Sequence, residues 1–183
     1  NGNYKLTGDF TIDRTKTYAP FDFNGTLVGS VKEDGAPTYT ITFVVDSEEQ
    51  MLDGKIALFK TLGKNAIIQN VAVAIRVENL SANSAAALAV SNKGKVLNCH
   101  ASGAITTSVS ATTQYVAGLV AENFGAVEGS TSNVDIQIDG APAKIFAGGV
   151  VAYNYAGAFI ENCKNTGDIS GTANTTGYIG GIV

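Results

Sequence analysis

The sequence predicts an all-β fold, a parallel β-helix (solenoid) whose coils each take about 31 residues. Three observations predict this fold. Similar apolar segments recur at steps of 31, 31 and 32 residues, centred on Leu88, Leu119, Val150 and Ile182. The intervening segments are rich in β-branched residues, Gly and Asn, which favour short strands and turns. No segment keeps the i, i+3, i+4, i+7 apolar spacing of an amphipathic helix.

Each coil carries two further apolar sites, so the sequence predicts three short strands per coil. One site reads apolar–x–Asn–small, at residues 68–71, 96–99 and 160–163, and the other recurs at Ile75, Ile105, Ile136 and Ile169. A single coil cannot bury its own apolar face, so coils must stack with equivalent strands about 4.8 Å apart. The general preference for right-handed crossovers favours a right-handed coil.

Polar and aromatic residues follow the same period, which predicts ladders of identical side chains along the stack. Asparagines recur in two rows, Asn92, Asn123 and Asn154 in one and Asn70, Asn98 and Asn162 in the other. Because Asn tolerates left-handed backbone and pairs with itself when stacked, we interpret both rows as amide ladders at turns. Tyr115, Phe146 and Tyr178 form an aromatic ladder. We expect these rings to pack on each other, and the alternative is a platform for stacking sugars.

The charge distribution divides the chain into two parts. Residues 1–53 contain nine acidic and four basic residues, and residues 54–183 contain seven acidic and eight basic residues. We interpret residues 1–53 as an N-terminal cap with the first strands, including a strand at 38–45 and a short helix or turn at 47–52. Residues 54–183 form the β-helix repeats, with about four coils and a final strand. The chain stops within a repeat, so we expect either a piece of a longer protein or a protein whose last coil is its final strand.

Composition argues against several classes of partner. The net charge is −4 and the sequence has no basic stripe, which argues against nucleic acid. No stretch approaches the ~18 apolar residues of a membrane span. No signal peptide is visible at Asn1, so a surface location requires that a leader or lipid anchor has been removed.

The cysteines and the one histidine give no catalytic or metal-binding pattern. Cys99 and Cys163 occupy equivalent positions two coils apart, so their Cα atoms should be about 10 Å apart, beyond the ~7 Å limit for a disulfide. We predict two free, buried thiols and no zinc site or other cofactor. His100 follows Cys99 and should alternate to the outer surface, where the sequence offers it no partners for a catalytic triad.

Two pairs of acidic residues are the remaining candidates for chemistry. Glu128 matches Glu161 one coil later, and Asp135 matches Asp168. Stacked carboxylates could hold Ca²⁺ or contact a glycan, and their spacing would be close to that of the two carboxylates of a retaining glycosidase. The simpler interpretation is that these exposed side chains point apart into solvent, because like charges so close together repel.

One coil resembles a known repeat. Residues 148–154 (GGVVAYN), 160–163 (IENC) and 167–171 (GDISG) resemble the GLUG repeat of bacterial surface proteins, and residues 116–138 and 85–106 fit it less closely. Residues 3–10 and 23–27 are similar to segments that precede such repeats. The resemblance implies an adhesin-like or filamentous-haemagglutinin-like β-helix on a bacterial surface, of the kind found in gut Bacteroidetes. It implies no catalytic residues.

These observations lead to one functional expectation and two alternatives. We expect a non-enzymatic surface or secreted repeat protein that serves in adhesion or ligand display, with host or bacterial surface glycans or proteins as partners. The first alternative is a carbohydrate-binding or carbohydrate-active β-helix that uses the stacked carboxylates. The second is a structural spacer within a larger surface protein.

Overall fold

A computed structural model describes residues 2–12, 20–51, 53–108 and 113–182, and these form a parallel β-solenoid of about five turns. The first strands in chain order are β1 Asn3–Lys5, β2 Phe10–Thr11, β3 Phe21–Phe23, β4 Thr26–Val28, β5 Thr40–Val45, β6 Lys55–Ile56, β7 Phe59–Leu62, β8 Ile67–Gln69, β9 Ala72–Leu80, β10 Ser84–Ala85, β11 Ala89–Asn92 and β12 Lys95–Leu97. The later strands are β13 His100–Thr107, β14 Thr113–Ala117, β15 Val120–Asn123, β16 Ala126–Glu128, β17 Thr131–Ile138, β18 Lys144–Gly148, β19 Val151–Asn154, β20 Phe159–Glu161, β21 Lys164–Asn165, β22 Ile169–Gly171 and β23 Thr176–Gly180.

The chain passes through four sheets in a fixed order in each coil. Sheet I contains β6, β10, β14, β18 and β23, and sheet II contains β3, β7, β11, β15 and β19. Sheet III contains β1, β4, β8, β12, β16 and β20, and sheet IV contains β2, β5, β9, β13 and β17, with β21 and β22 both paired to β17. Neighbouring strands are parallel, as in β14–β18 and β12–β16. The fold class and the coil length of roughly 31 residues are confirmed.

The coil contains four strands, one more than predicted. The extra strand arises because the first predicted apolar segment of the coil divides into two strands. In one coil, for example, Gly118 and Leu119 form a bend between β14 and β15. Leu119 points into the core and is fully buried, so the bend divides the strand without interrupting the apolar pattern. A sequence pattern based on apolar residues therefore counts the two strands as one.

Inward-facing apolar residues fill the interior, most of them aliphatic, with Phe23, Phe43 and Phe59 in the first coils. Leu88, Leu119 and Val150, the residues that revealed the period, are fully buried. The facing sheet contributes rows such as Val96 and Val127, which pair across β12 and β16. Burial of these aliphatic rows between stacked coils is the main stabilising contribution to the fold.

The bend between sheets I and II packs tightly against sheet IV. A Cβ added to Gly118 would overlap the Ser132 hydroxyl, and one added to Gly149 would overlap the Asn165 side chain and the Gly181 carbonyl. Glycine is required at these bends because no side chain fits between the turn and the facing strand.

Both predicted asparagine ladders are present, but their backbones differ. Asn92 donates to Asn123 and Asn123 donates to Asn154, each at 2.8 Å and within regular strand ends. In the second row, Asn70, Asn98 and Asn162 have left-handed backbone, with φ of 58°, 47° and 53°. Gly129 holds the equivalent place with φ 58°, which explains why that copy of the motif lacks its asparagine.

The strands within residues 1–53 extend three of the four sheets, II, III and IV. For example, β4 pairs with β8 and β5 pairs with β9. The strand expected at 38–45 is β5, and the short helix expected at 47–52 is a single 3-10 turn at Glu48–Gln50, with residue 52 outside the described residues. Whether residues 1–53 act as a cap stays a prediction.

A loop at residues 31–38 departs from the coil. It folds back on itself through the antiparallel bridge between Val31 and Pro37. Its Gly35 carbonyl accepts a hydrogen bond of 2.9 Å from the Asn98 side chain. The loop therefore reaches along the stack to a later coil.

Among the described residues, no helix is long and apolar enough to cross a membrane.

Candidate functional site: an outer aromatic cluster

The predicted aromatic ladder lies on the outer face of sheet I. Tyr115 in β14, Phe146 in β18 and Tyr178 in β23 alternate with inward-facing residues and therefore point outward. The Tyr115 and Phe146 ring centres are 5.1 Å apart with planes 6° apart, and those of Phe146 and Tyr178 are 5.0 Å and 7° apart. The rings thus stack on each other along the solenoid axis, as the favoured interpretation predicted.

A second stack of rings stands on the outer side of sheet II. Phe124 and Tyr155 directly follow β15 and β19, and their backbone amides donate to Asn92 and Asn123. The two ring centres are 3.8 Å apart with planes 16° apart. This second stack therefore repeats with the coil period, like the first.

Tyr153 in β19 connects the two stacks. Its ring centre is 4.9 Å from that of Phe146 and 4.6 Å from that of Tyr155, with planes at 83° and 70°. It is also nearly perpendicular to Tyr115, at 6.2 Å and 82°. Tyr153 therefore lies between the stacks with its ring plane along the stacking direction. We call the six rings the aromatic cluster: Tyr115, Phe124, Phe146, Tyr153, Tyr155 and Tyr178.

Small residues bring the outer faces of sheets I and II together under this cluster. They form a second buried group, separate from the main core, and Tyr115 and Phe146 pack against it. Its members are Ala86, Ala117, Ala121 and Ala152. Alanine at these places leaves room for the rings of Tyr115 and Phe146. Four of the six rings are half-buried: Tyr115, Phe146, Tyr153 and Tyr155. Phe124 and Tyr178 are exposed.

Polar groups are placed at the edges of the rings. Glu122 lies opposite Tyr153 in the paired strands β15 and β19, and its carboxylate accepts a 2.8 Å hydrogen bond from the Tyr155 hydroxyl. Partial burial and this bond raise the pKa of Tyr155 well above its usual range. Burial, followed by the nearby Glu122 charge, also raises the pKa of Tyr115. Both phenols therefore stay protonated at neutral pH and serve as hydrogen-bond donors.

An open groove of about 730 Å³ runs beside the aromatic cluster. Lys144 stands at one side, with its ammonium 5.7 Å from the centre of the Phe146 ring. The groove adjoins β19 and β23, the last described strands of sheets II and I. The lining includes Lys144, Phe146, Tyr153, Asn154, Tyr178 and Ile179.

The predicted acidic pairs lie on sheets III and IV. Glu128 and Glu161 are direct partners in β16 and β20, and both are exposed. Asp135 carries a carboxylate that accepts a 3.0 Å hydrogen bond from the Asp168 backbone amide. The sequence thus predicted both juxtapositions. Within the parts of the chain that the structure describes, no three His, Cys, Asp or Glu side chains gather to hold a metal ion. A role of the acidic pairs in binding Ca²⁺ or a ligand stays a prediction.

The thiols and the histidine lie in structural surroundings. Cys99 and Cys163 are both free, as predicted, although only Cys99 is fully buried and Cys163 is half-buried. Burial raises the pKa of Cys99 to about 12, so it is unreactive at neutral pH. His100 is half-buried, and its Nδ1 lies 2.5 Å from the Thr131 hydroxyl. Burial lowers the pKa of His100.

Sequence reasoning missed four residues of the site: Glu122, Phe124, Tyr153 and Tyr155. A signal for two of them was available, because Phe124 and Tyr155 are 31 residues apart and directly follow the asparagine row. The position of Tyr153 opposite Glu122 gave no such signal, because an aromatic and an acidic residue do not resemble one another in a repeat.

The fold and the outer cluster define a parallel β-solenoid repeat protein. A family model described as the GLUG motif matches residues 147–170, which supports a GLUG-repeat protein. The match falls on the coil in which the sequence pattern is clearest, and it includes β19, β20 and β21. No curated protein and no solved structure matches the chain.

Proposed function

We propose that this chain is a non-enzymatic binding segment of a cell-surface or secreted repeat protein, and that it acts in adhesion or ligand display. The observation that carries the proposal is the aromatic cluster on the outer face of a solenoid, separate from the apolar core that fills the interior. Rings in this place add little to the core, whereas rigid exposed aromatic surfaces are typical of binding sites. The GLUG repeat and the solenoid fit a surface repeat protein.

The chemistry of the cluster suits recognition. General acid–base catalysis needs two groups whose protonation states are matched to proton transfer. The aromatic cluster combines the carboxylate of Glu122 with phenols that stay protonated. The Tyr155 hydroxyl already donates a hydrogen bond to one oxygen of that carboxylate. These groups can donate and accept hydrogen bonds at the rim of an apolar surface. The partners would be glycans or proteins on host or bacterial surfaces.

Binding of the labelled chain to cells tests this proposal. We expect the chain to bind bacterial or epithelial cells, and the Tyr153→Ala and Tyr155→Ala double variant to lose most of that binding. Phe10→Ala is the matched control, because this ring is exposed on β2, at the opposite end of the stack from the cluster. Equal loss in the control, or undiminished binding by the double variant, would show that the cluster is not the binding surface.

The stacked carboxylates favour a second candidate, a carbohydrate-active surface on sheet III. Its basis is the direct pairing of Glu128 with Glu161 across β16 and β20. Release of reducing sugar from polysaccharides, abolished in Glu128→Gln and Glu161→Gln, would establish this activity and exclude a purely binding role. Absence of such release across a polysaccharide panel would remove the second candidate. A chain without either activity would be a spacer.

A further inference from the structure

The first described coil leaves core positions exposed at the N-terminal end of the stack. Tyr4 of β1 stands in the same row of side chains as Ile68, which is fully buried. Phe10 of β2 stands in the same row as Val73, which is also fully buried. Tyr4 and Phe10 are nevertheless 56% and 57% exposed. A coil that closes a solenoid presents a polar outer face, whereas this coil presents two rings.

The last described coil leaves core positions partly uncovered at the other end. Ile160 of β20 is half-buried, although its partner Val127 is fully buried. Ile169 of β22 is also half-buried, although its partner Ile136 lies in the core. Among the described strands, β20 pairs only with β16, and β21 and β22 pair only with β17. The outer edges of these strands can therefore pair with a further strand.

Lys5 and Glu161 stand at opposite ends of one row of side chains on sheet III. The row runs from Lys5 through equivalent positions of β4, β8, β12 and β16 to Glu161. Both residues are exposed, and Glu161 lies beside the like charge of Glu128. If β1 of a second copy paired with β20, its Lys5 would lie next to Glu161, at the strand spacing of about 4.8 Å. An opposite charge would then offset the repulsion between the two glutamates.

The same placement brings opposite charges together on sheet IV. Asp9 lies beside Thr40, because its carboxylate accepts a 2.9 Å hydrogen bond from the Thr40 amide and the next residues along both strands are paired. The row that contains Thr40 ends at Lys164 of β21, which is exposed. Pairing β2 of a second copy with β21 would therefore set Asp9 next to Lys164. Two separate rows thus favour the same register.

A second copy of this chain fits these ends better than an unrelated strand. An unrelated strand could pair with an open edge, but nothing would place a cation beside Glu161 and an anion beside Lys164. Each end presents about one coil, of roughly 31 residues, which is comparable with the about 20–30 residues a side of a standard protein–protein interface. The apolar ends would supply most of the affinity, and the charged rows would fix the register.

We infer that copies of this chain stack head to tail, with Lys5 and Asp9 of one copy beside Glu161 and Lys164 of its neighbour. Because the two surfaces lie at opposite ends of the solenoid, the contact does not close on itself and produces linear chains. The pairing strands belong to sheets III and IV, whereas the aromatic cluster lies on sheets I and II. The cluster therefore recurs along such a chain, and the inference does not depend on what the cluster binds.

Sedimentation velocity of the 183-residue chain over a range of concentrations tests the inference. We expect a monomer at nanomolar concentration, and dimers and longer species at high micromolar concentration. Lys5→Glu and Glu161→Lys should each weaken association by about fivefold or more, because an attractive pair becomes a repulsive one. The variant with both changes restores opposite charges and should regain the association. Glu33→Lys, on the exposed loop, is the matched control for a change of net charge.

Cross-linking identifies the surfaces that meet. In a Cys163→Ser background, a chain with both Lys5→Cys and Glu161→Cys should form disulfide-linked dimers and longer chains on mild oxidation, because paired residues of neighbouring strands lie within disulfide distance. Each variant with one introduced cysteine should stay monomeric. A monomer at every concentration, association that ignores charge reversal, or dimers linked through a single introduced cysteine would each overturn the inference.

The test of stacking and the test of cell binding can fail separately. Cell binding is measured at nanomolar concentration, where the chain is expected to be a monomer, so Phe10→Ala remains a control there although Phe10 lies in the stacking surface. Loss of cell binding in the tyrosine variant concerns the aromatic cluster alone. A chain that binds cells but never associates would overturn the stacking and leave the proposed binding function in place.

Discussion

The side-chain nitrogen of Asn92 donates a 2.8 Å hydrogen bond to the side-chain oxygen of Asn123 inside the solenoid, where both residues are fully buried. Asn123 in turn donates to Asn154 at 2.8 Å and to the Phe159 carbonyl at 3.1 Å. It also accepts from the Gly125 amide. One side chain therefore joins three coils and satisfies backbone groups at the turn between sheets II and III.

Replacing Asn123 should destabilise the protein strongly. Each buried polar group left without a partner costs about 1–3 kcal/mol, and Asn123→Ala leaves several such groups without a hydrogen-bond partner. We therefore expect the free energy of unfolding to fall by about 3 kcal/mol or more. Urea denaturation measures this loss. Asn65→Ala, at an exposed turn, is the control and should be close to neutral. Similar losses in the two variants would contradict a structural role for the ladder.

Gly149→Ala should also destabilise the protein, through overpacking. An added Cβ would overlap the Gly181 carbonyl and the Asn165 side chain, and such crowding costs about 1–3 kcal/mol. Thermal unfolding of this variant can be compared with that of Gly8→Ala, where an added Cβ meets nothing within 4 Å. If Gly149→Ala has the same melting temperature as the wild type, the bend can move away from sheet IV.

His100 should make the fold sensitive to mild acid. Burial lowers its pKa in the folded state below the ordinary value of 6.5, so the unfolded chain binds the proton more readily. Its contribution to stability is therefore fully present above pH 6.5 and is lost as the pH falls from 6.5 through the lower pKa of the folded state. We expect His100→Gln to lose less stability than the wild type between pH 7 and 5, as measured by urea denaturation at each pH. Parallel pH profiles for the two proteins would exclude this cause.

The two thiols should react in a fixed order. Cys163 is half-buried and Cys99 is fully buried with a pKa of about 12, so maleimide should label Cys163 first in the native protein. Mass spectrometry of timed samples identifies the labelled residue, and both should react at once in denaturant. Early labelling of Cys99 would mean that the core between sheets III and IV opens readily.

Neutralising one of the paired glutamates should stabilise the protein at low ionic strength. Glu128 and Glu161 are like charges directly opposite each other, which is an unfavourable arrangement, so Glu161→Gln should raise the melting temperature. Salt should abolish the gain because it screens exposed charges. Glu33→Gln, on the exposed loop, is the matched control.

The same glutamate variant tests the calcium candidate. If the pair binds Ca²⁺, the ion should raise the melting temperature of the wild type and leave Glu161→Gln unchanged. A wild type that does not respond to Ca²⁺ would eliminate the pair as a calcium site.

Much of the register could be predicted from the sequence, because in a solenoid the distance between paired residues is the coil length. This is why the 31-residue spacing placed Tyr115 on Phe146 and the 33-residue spacing placed Glu128 on Glu161. The prediction fails where a coil changes length. Ile75 pairs with Gly103, and Val77 takes the place opposite Ile105, because the coil that joins them is shorter and β9 contains an irregularity near its end.

The arrangement of the candidate site depends on geometry that repeats do not encode. Periodicity places Tyr115 above Phe146 and Phe124 beside Tyr155, but it does not tell how two sheets bend toward one another. The corner forms because Gly118 and Gly149 allow the bend and alanines such as Ala121 leave space outside it. Tyr153 lies at the centre of the site only because the bend brings the outer faces of sheets I and II together.

The loop at residues 31–38 changes how the solenoid should respond to mechanical load. Hydrogen bonds between coils run along the long axis, so a force applied to the two ends would peel the coils apart in succession. The 2.9 Å bond from Asn98 to the Gly35 carbonyl joins coils that are separated by 63 residues of chain. Tension entering from the N-terminal side must break this cross-link before the coils beneath the loop can separate. The loop thus fastens the N-terminal coils to a later coil against a pulling force.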